Sequence, residues 1–146
     1  MASVLKRARI APRTRLRRNA KPIQRHARIR QRGKSRRQKL IRVLADLWSW
    51  KVRERDGHRC QRLLCQDIGT DAHHIYGKKA FPGVRFDRAN GVTLCRRHHD
   101  EAHAYPVDFL LEMQARMGER FDALRVKALR VKAVDLAQVR AELEAA

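Results

Sequence analysis

DAHHIYGKKAFPGVRFDRANGVTLCRRHHDEAHA, residues 71–104, is the stretch that decides the fold of this chain. Short β-compatible runs at 72–75 and 92–94 predict two strands, and the loop between them is rich in Lys and Arg. The segment from about 96 to 104 predicts a helix that ends before Pro106. Strand, loop, strand and helix in this order make a ββα unit.

The flanking segments are predicted to be helical. Ser35 is a suitable N-cap for a helix over 36–55, whose apolar residues share one face and whose tryptophans are expected to pack inside the protein. After Pro106 three amphipathic helices are predicted. Gly118 closes the first of them. Phe121, Leu124, Ala128 and Val131 mark the second, and an Asp135–Gln138 capping box begins the third.

A ββα unit of about 45 residues is too small to build a good core alone. We therefore predict one α+β, mostly helical domain over 35–146. In it, a segment at about 56–104 that contains the ββα unit packs between an N-terminal helix, 35–55, and C-terminal helices, 106–146.

The positive charge is concentrated at the start of the chain. Residues 1–42 hold 17 Lys or Arg and no Asp or Glu, whereas 43–146 hold 18 basic and 15 acidic residues. Repulsion and few large apolar residues predict that 1–34 is a disordered basic tail that binds nucleic acid. The tail by itself fits a nuclease and a ribosome-like RNA binder equally well, and an Arg-rich, acid-free start is also typical of organelle transit peptides.

Composition also limits the compartment. No run of about 18 apolar residues is present, so no membrane span is expected. The first residues lack the apolar core of a signal peptide. Three cysteines without a secretory signal favour metal ligation over disulfides. The expected location is the cytoplasm of a bacterium or of a phage-infected host.

Three histidines have the spacing of a metal site with open positions. His99 and His103 are four residues apart, so both rings project from one helix face. With His73 they offer three neutral imidazoles and leave room for water and a phosphate oxygen. The adjacent His74 then remains as a base, with an unperturbed pKa of about 6.5. Asp71 shares a strand face with His73 and can replace or support an imidazole, although a supporting or turn role is favoured.

A second set of ligands predicts a closed site. His98 lies about 100° around the helix from His99, so it serves a different ion. Cys95 precedes it by three residues, which is the spacing of a zinc knuckle at a helix start. Cys60 and Cys65 complete a Cys3His tetrahedron with no open position, as in structural zinc sites.

Together these residues resemble the HNH, or ββα-metal, endonucleases. The resemblance covers about residues 56–104 and is closest to small phage and prophage HNH proteins. The tryptophan-bearing helix and the helical C-terminal part resemble recombination endonucleases of the NinG type. The His-His pair and the His-x3-His ending are similar to the nuclease domains of DNase colicins.

The resemblance implies a role for each matching residue. His74 is the general base and His73 a ligand, while His99 and His103 supply the remaining ligands. Asn90 fixes the loop and the base through hydrogen bonds. Family zinc sites usually pair two Cys-x2-Cys knuckles, and this chain departs from that pattern with a Cys-x4-Cys spacing and with a histidine, residue 98, in place of a cysteine.

The implied reaction is hydrolysis of DNA in phage or prophage processing or recombination. His74 takes a proton from water, the hydroxide attacks phosphorus, and one divalent ion (Mg²⁺, Mn²⁺, Ni²⁺ or Zn²⁺) stabilises the departing 3′ oxygen. The substrate is duplex or branched DNA, and junction cutting would favour a homodimer. The candidates for binding the DNA backbone are Lys78, Lys79, Arg85, Arg96 and Arg97. The alternative is a catalytically inert, zinc-stabilised DNA- or RNA-binding module.

Overall fold

The computed structural model describes residues 35–145, so the predicted basic tail lies outside the described residues. This part of the chain folds into five helices and two strands. In chain order they are α1 (Arg36–Arg55), β1 (Asp71–His74), β2 (Gly91–Leu94), α2 (Arg96–Ala104), α3 (Pro106–Met117), α4 (Glu119–Arg130) and α5 (Leu136–Ala145), with 3-10 turns at Pro82–Val84 and Arg88–Asn90. The arrangement is α+β and mostly helical, as the sequence predicts.

Helix α1 begins where the sequence predicts. The Ser35 hydroxyl accepts a hydrogen bond from the Gln38 backbone, and the Gln38 side chain accepts one from the Ser35 backbone, at 3.2 and 2.9 Å. The helix buries Leu44, Trp48 and Val52 against the sheet and α5, which contributes about 1.5–3 kcal/mol for each side chain. Trp50 does not pack as expected, because it is 44% exposed beneath the Lys51 ammonium.

The two strands pair antiparallel, with His73 opposite Val92 and His74 opposite Gly91. Every residue of β2 is buried, because α1 covers one face of the strand. A Cβ on Gly91 would lie 2.7 Å from the Trp48 ring and 2.5 Å from a Val52 methyl. This position therefore requires glycine, and the close approach sets where α1 meets the sheet.

The second half of the fold supports the β1–β2–α2 unit. Helix α2 packs on both strands and on α3, and α3 packs on α4. Phe109, Met113, Phe121 and Leu124 join the strands in one buried cluster. Gly118, with φ of +53°, forms the predicted break between α3 and α4. Across residues 35–145, no helix combines the length and the apolar character needed to cross a membrane.

Two local expectations for the C-terminal helices are wrong. Helix α4 ends at Arg130, so Val131 lies beyond it in extended backbone. The Asp135–Gln138 capping box does not form: Asp135 accepts from the Ala137 backbone at 2.8 Å, while the Gln138 side chain donates to Glu142 at 2.8 Å. The Gln138 side chain extends along α5 to the carboxylate of Glu142, one turn further, instead of back towards the Asp135 backbone N–H.

Candidate active site and metal centres

Three imidazoles meet where β1 packs against α2. One ring nitrogen from each of His73, His99 and His103, here called the histidine group, lies within 4.8 Å of the other two. His73 comes from the strand, and the other two project from one face of the helix, one turn apart. His73 is buried, His99 is half-buried and His103 is exposed, so the group lies between the core and the surface.

The histidine group fits a divalent cation. Nδ1 of His73 and Nδ1 of His99 are buried and have no hydrogen-bond partner within residues 35–145, which is costly for a polar atom. Burial, followed by the charges of the neighbouring histidines, lowers the pKa of His73 to about 3. The ring is therefore neutral at pH 7, the form that binds metals. The geometry is consistent with metal binding by three histidines.

Replacing one of these ligands is expected to empty one site and spare the fold. His99→Ala removes an imidazole that is half-buried and makes no hydrogen bond through its buried nitrogen. We expect a protein that melts within a few degrees of wild type and binds one divalent ion fewer, because two histidines hold a metal far more weakly than three. Metal analysis after gel filtration checks this, and an unchanged metal content would contradict the ligand assignment.

Three cysteines and His98 form a second group, here called the cysteine group. One ligand atom each from Cys60, Cys65, Cys95 and His98 lies within 4.8 Å of the others, and none of the cysteines is in a disulfide. Nδ1 of His98 lies 3.3 Å from the sulfur atoms of both Cys60 and Cys95. In a zinc tetrahedron with the usual Zn–S and Zn–N bond lengths, a sulfur and a nitrogen ligand are about 3.6 Å apart, which is close to this distance. The group therefore suits a zinc-like ion.

His74 lies in a different environment from the other histidines. Its Nε2 is 2.9 Å from the carbonyl oxygen of Arg85. A carbonyl only accepts, so Nε2 carries the proton and Nδ1 is left as the proton acceptor. The other contact is a parallel stack on the Trp48 indole, with ring centroids 3.9 Å apart and planes 17° apart.

The charge state of His74 follows from this environment. Burial lowers its pKa to about 4; the bond to the Arg85 carbonyl opposes the shift, and the positive charges of Lys78 and Arg85 add to it. The imidazole is therefore neutral at pH 7. A neutral ring with a free Nδ1 is able to accept a proton from water.

Asn90 fixes the loop between the strands. Its side chain is fully buried, accepts from the Tyr76 backbone at 2.7 Å and donates to the carbonyls of Tyr76 and Val84, both at 3.0 Å. The family role in the loop therefore has a counterpart here. The expected bond from Asn90 to His74 is not among the hydrogen bonds of residues 35–145: the Arg85 carbonyl holds His74, and Asn90 bonds to the nearby backbone of Tyr76 and Val84.

Asn90→Ala is expected to destabilise the domain. The change leaves the buried N–H and C=O of Tyr76 without partners, and each costs about 1–3 kcal/mol. The Val84 carbonyl still accepts from the Asp87 backbone at 3.1 Å. We expect a loss of roughly 3 kcal/mol or more in the free energy of unfolding, measured by urea denaturation. Asn90→Asp keeps the acceptor for the Tyr76 N–H but turns a carboxylate oxygen towards the carbonyls of Tyr76 and Val84, so a comparable loss is expected at neutral pH. A loss below about 1 kcal/mol in Asn90→Ala would show that the loop is held by other contacts.

Asp71 lies outside the histidine group. Its carboxylate is 3.1 Å from the Arg96 guanidinium and accepts from the Thr70 hydroxyl at 2.7 Å. These contacts are to an arginine and a threonine and not to a histidine, so the supporting or turn role favoured from the sequence stays a prediction. The carboxylate of Asp67 likewise lies 3.9 Å from the guanidinium of Arg97. Both arginines predicted to bind DNA are thus partly neutralised, although each remains about two-thirds exposed.

The three other basic candidates lie in the loop between β1 and β2. Lys78 and Lys79 are exposed and have no acidic partner within the described residues. Arg85 is half-buried, and the central carbon of its guanidinium lies 4.9 Å from the centroid of the Phe86 ring. Its backbone carbonyl, and not its charged group, contacts His74. Of these three, only Lys78 lines the cavity that contains the histidines.

That cavity measures about 520 Å³ and brings His74 together with the histidine group. Helix α1 contributes Ala45, Trp48 and Ser49 to its wall. A larger cavity of about 880 Å³ lies among the scaffold helices and contains none of the candidate site residues. The histidine cavity is therefore the better candidate for chemistry, since it holds the titratable and ligand groups.

Sequence reasoning missed two of the contacts to His74. Trp48 was expected only to pack, and the Arg85 carbonyl has no signature in the sequence. Comparison of the chain with protein-family models, with curated proteins and with solved structures gives no match. The functional roles of these residues therefore rest on their geometry and on the resemblance in the sequence.

Proposed function

We propose that the protein is a metal-dependent endonuclease of the HNH, or ββα-metal, type that hydrolyses DNA phosphodiester bonds. The observation that carries the proposal is the meeting of the histidine group with His74 in one cavity. Three imidazoles leave coordination positions open, and a fourth imidazole, whose Nε2 is held by the Arg85 carbonyl, lines the same cavity. One-metal hydrolysis of a phosphodiester can use these two features together.

Each residue has a defined part in this proposal. His73, His99 and His103 hold one divalent ion, which supplies Lewis-acid stabilisation of the departing 3′ oxygen when bound. His74 accepts a proton from water at Nδ1, and the hydroxide attacks phosphorus. The products carry 5′-phosphate and 3′-hydroxyl ends. The Arg85 carbonyl keeps the proton on Nε2, so that Nδ1 stays available during the reaction.

The cysteine group is proposed to hold a structural zinc. Four protein ligands leave no position for substrate, so such a site stabilises the fold and takes no part in hydrolysis. It ties Cys60 and Cys65, which follow α1, to the start of α2 at Cys95. Because α2 also carries two members of the histidine group, the zinc would fix the helix that presents the catalytic ion.

DNA is proposed as the partner because of the charge. The chain carries a net charge of +20, of which +17 lies in residues 1–42, and neutralised phosphates release counterions. Lys78 at the cavity wall is positioned for the phosphate backbone near the site, with Lys79 beside it. A phage or prophage DNA-processing role accords with this partner and with the resemblance in the sequence.

A cleavage assay with the full chain tests the proposal. Supercoiled plasmid, linear duplex and a four-way junction are each incubated with Mg²⁺, Mn²⁺, Ni²⁺ or Zn²⁺, and the product ends are analysed. We expect cleavage in at least one metal, 5′-phosphate ends and complete inhibition by a chelator. Binding of all three DNAs without cleavage in any metal would refute the nuclease and leave the inert binding module.

A further inference from the structure

The indole of Trp48 covers one whole face of the imidazole of His74. The ring centroids are 3.9 Å apart and the planes are 17° apart, so the contact is a parallel stack and not an incidental edge contact. We propose that Trp48 is a positioning residue for His74. It holds the imidazole in the orientation in which Nε2 donates to the Arg85 carbonyl and Nδ1 remains the acceptor. This inference rests on the proposed function of His74 as the base.

The indole is itself held rigidly. Trp48 is 2% exposed, and its Nε1 donates to the carbonyl of Asp87 at 2.9 Å. The carboxylate of Asp87 in turn accepts from the Ala89 backbone and pairs with Lys127, at 2.8 and 2.7 Å. The ring that contacts His74 is therefore fixed at its edge by the turn that leads into β2.

The sheet restrains the indole from a second side. Gly91 lies opposite His74 in the strand register, and a Cβ there would come within 2.7 Å of the Trp48 ring. The strand backbone thus fits closely against the indole. The imidazole of His74 lies between a fixed aromatic face and a fixed carbonyl acceptor.

A stacked neighbour matters because one hydrogen bond leaves a ring partly free. With the Arg85 carbonyl as its one hydrogen-bonding contact within the described residues, the imidazole could rotate and exchange its tautomer. A parallel aromatic stack restricts that rotation. Within the described residues, the aromatic ring that Trp48 stacks on is that of His74, and Trp48 belongs to neither ligand group, so it is inferred to act through His74.

The test compares Trp48→Leu and Trp48→Phe with Leu44→Ala. Leu44 belongs to the same buried face of α1 but lies outside the cavity lining, so its replacement reports packing loss alone. We expect Trp48→Leu to lower kcat for plasmid cleavage by about 10- to 100-fold through misplacement of the base, with KM and metal content unchanged. Trp48→Phe retains an aromatic face and should recover most of the rate, and Leu44→Ala should keep the wild-type kcat.

A double variant separates positioning from other roles. In a His74→Ala background, Trp48→Leu should cause no further loss, because residues that act as a unit are not additive. A further loss there, or a wild-type kcat in Trp48→Leu, would overturn the inference. Thermal unfolding is compared for every variant, and Trp48→Met replaces Trp48→Leu if the latter is unfolded at the assay temperature.

A measurement without DNA keeps the two proposals distinguishable. Nitrogen NMR of the zinc-loaded full chain should show His74 as a single Nε2–H tautomer in wild type and in Leu44→Ala, and as a mixture in Trp48→Leu. A pure Nε2–H tautomer in Trp48→Leu would refute the positioning role. If the wild-type chain cleaves no DNA, the proposed function fails, and the tautomer comparison still decides the role of Trp48.

Discussion

His74→Ala is expected to lower the rate of plasmid cleavage by about 100- to 10,000-fold, the usual contribution of a general base. The reason is specific to its position: its Nε2 is bound to the Arg85 carbonyl, which leaves Nδ1 as the acceptor, and the residue lines the same cavity as the histidine group. The variant should bind duplex DNA as tightly as wild type and keep both ions, since His74 belongs to neither ligand group. Cleavage rate, DNA affinity and metal content are measured on one preparation.

An exposed histidine provides the matched control. His58 belongs to neither ligand group and lies away from the cavity lining. Its backbone has φ of +53°, so asparagine is the suitable replacement, because it tolerates this conformation. His58→Asn should cleave at the wild-type rate. If His74→Ala cleaved plasmid at the wild-type rate, the assignment of His74 as the base would be wrong.

Cys95→Ala is expected to have the largest effect on stability. The residue is buried, precedes α2 as its N-cap and lies 3.3 Å from Nδ1 of His98. Structural zinc sites bind with apparent free energies of about 10–16 kcal/mol, which is comparable to the whole stability of a domain, about 5–15 kcal/mol. We therefore expect a largely unfolded chain at 37 °C that has lost the zinc of the cysteine group.

A ligand of the other group controls for metal loss in general. His103→Ala removes an exposed imidazole of the histidine group and should leave the melting transition close to that of wild type. The readouts are thermal unfolding by circular dichroism and zinc content after gel filtration. If Cys95→Ala had the melting temperature of the wild type and kept its zinc, the cysteine group would not be a structural site.

Local spacing was enough to predict much of the fold and both ligand groups. The Ser35 cap, the strand–loop–strand–helix order and the break at Gly118 are all confirmed. His99 and His103 come together because a helix places residues four apart on one face. Cys95 and His98 come together because their spacing closes a turn at the start of a helix. Such contacts depend on a few residues that are close together in the chain, so they can be predicted from the sequence.

Contacts between distant elements could not be predicted in the same way. Trp48 reaches His74 only because α1 packs closely on Gly91, and the Arg85 carbonyl reaches it through the path of a loop. The failed capping box has a different cause. The pattern at residues 135–138 shows that a cap is available, but it does not show that Glu142 competes for the Gln138 amide.

Cobalt titration of the full chain tests the central claim most directly, namely that the histidine group binds a divalent ion beside His74. Cobalt bound by thiolates gives sulfur-to-metal charge-transfer absorption, whereas cobalt bound by imidazoles does not. We expect two equivalents to bind, with the charge-transfer band complete after one and the second detected by d–d absorption alone. Saturation at a single equivalent, with sulfur ligation only, would contradict the account.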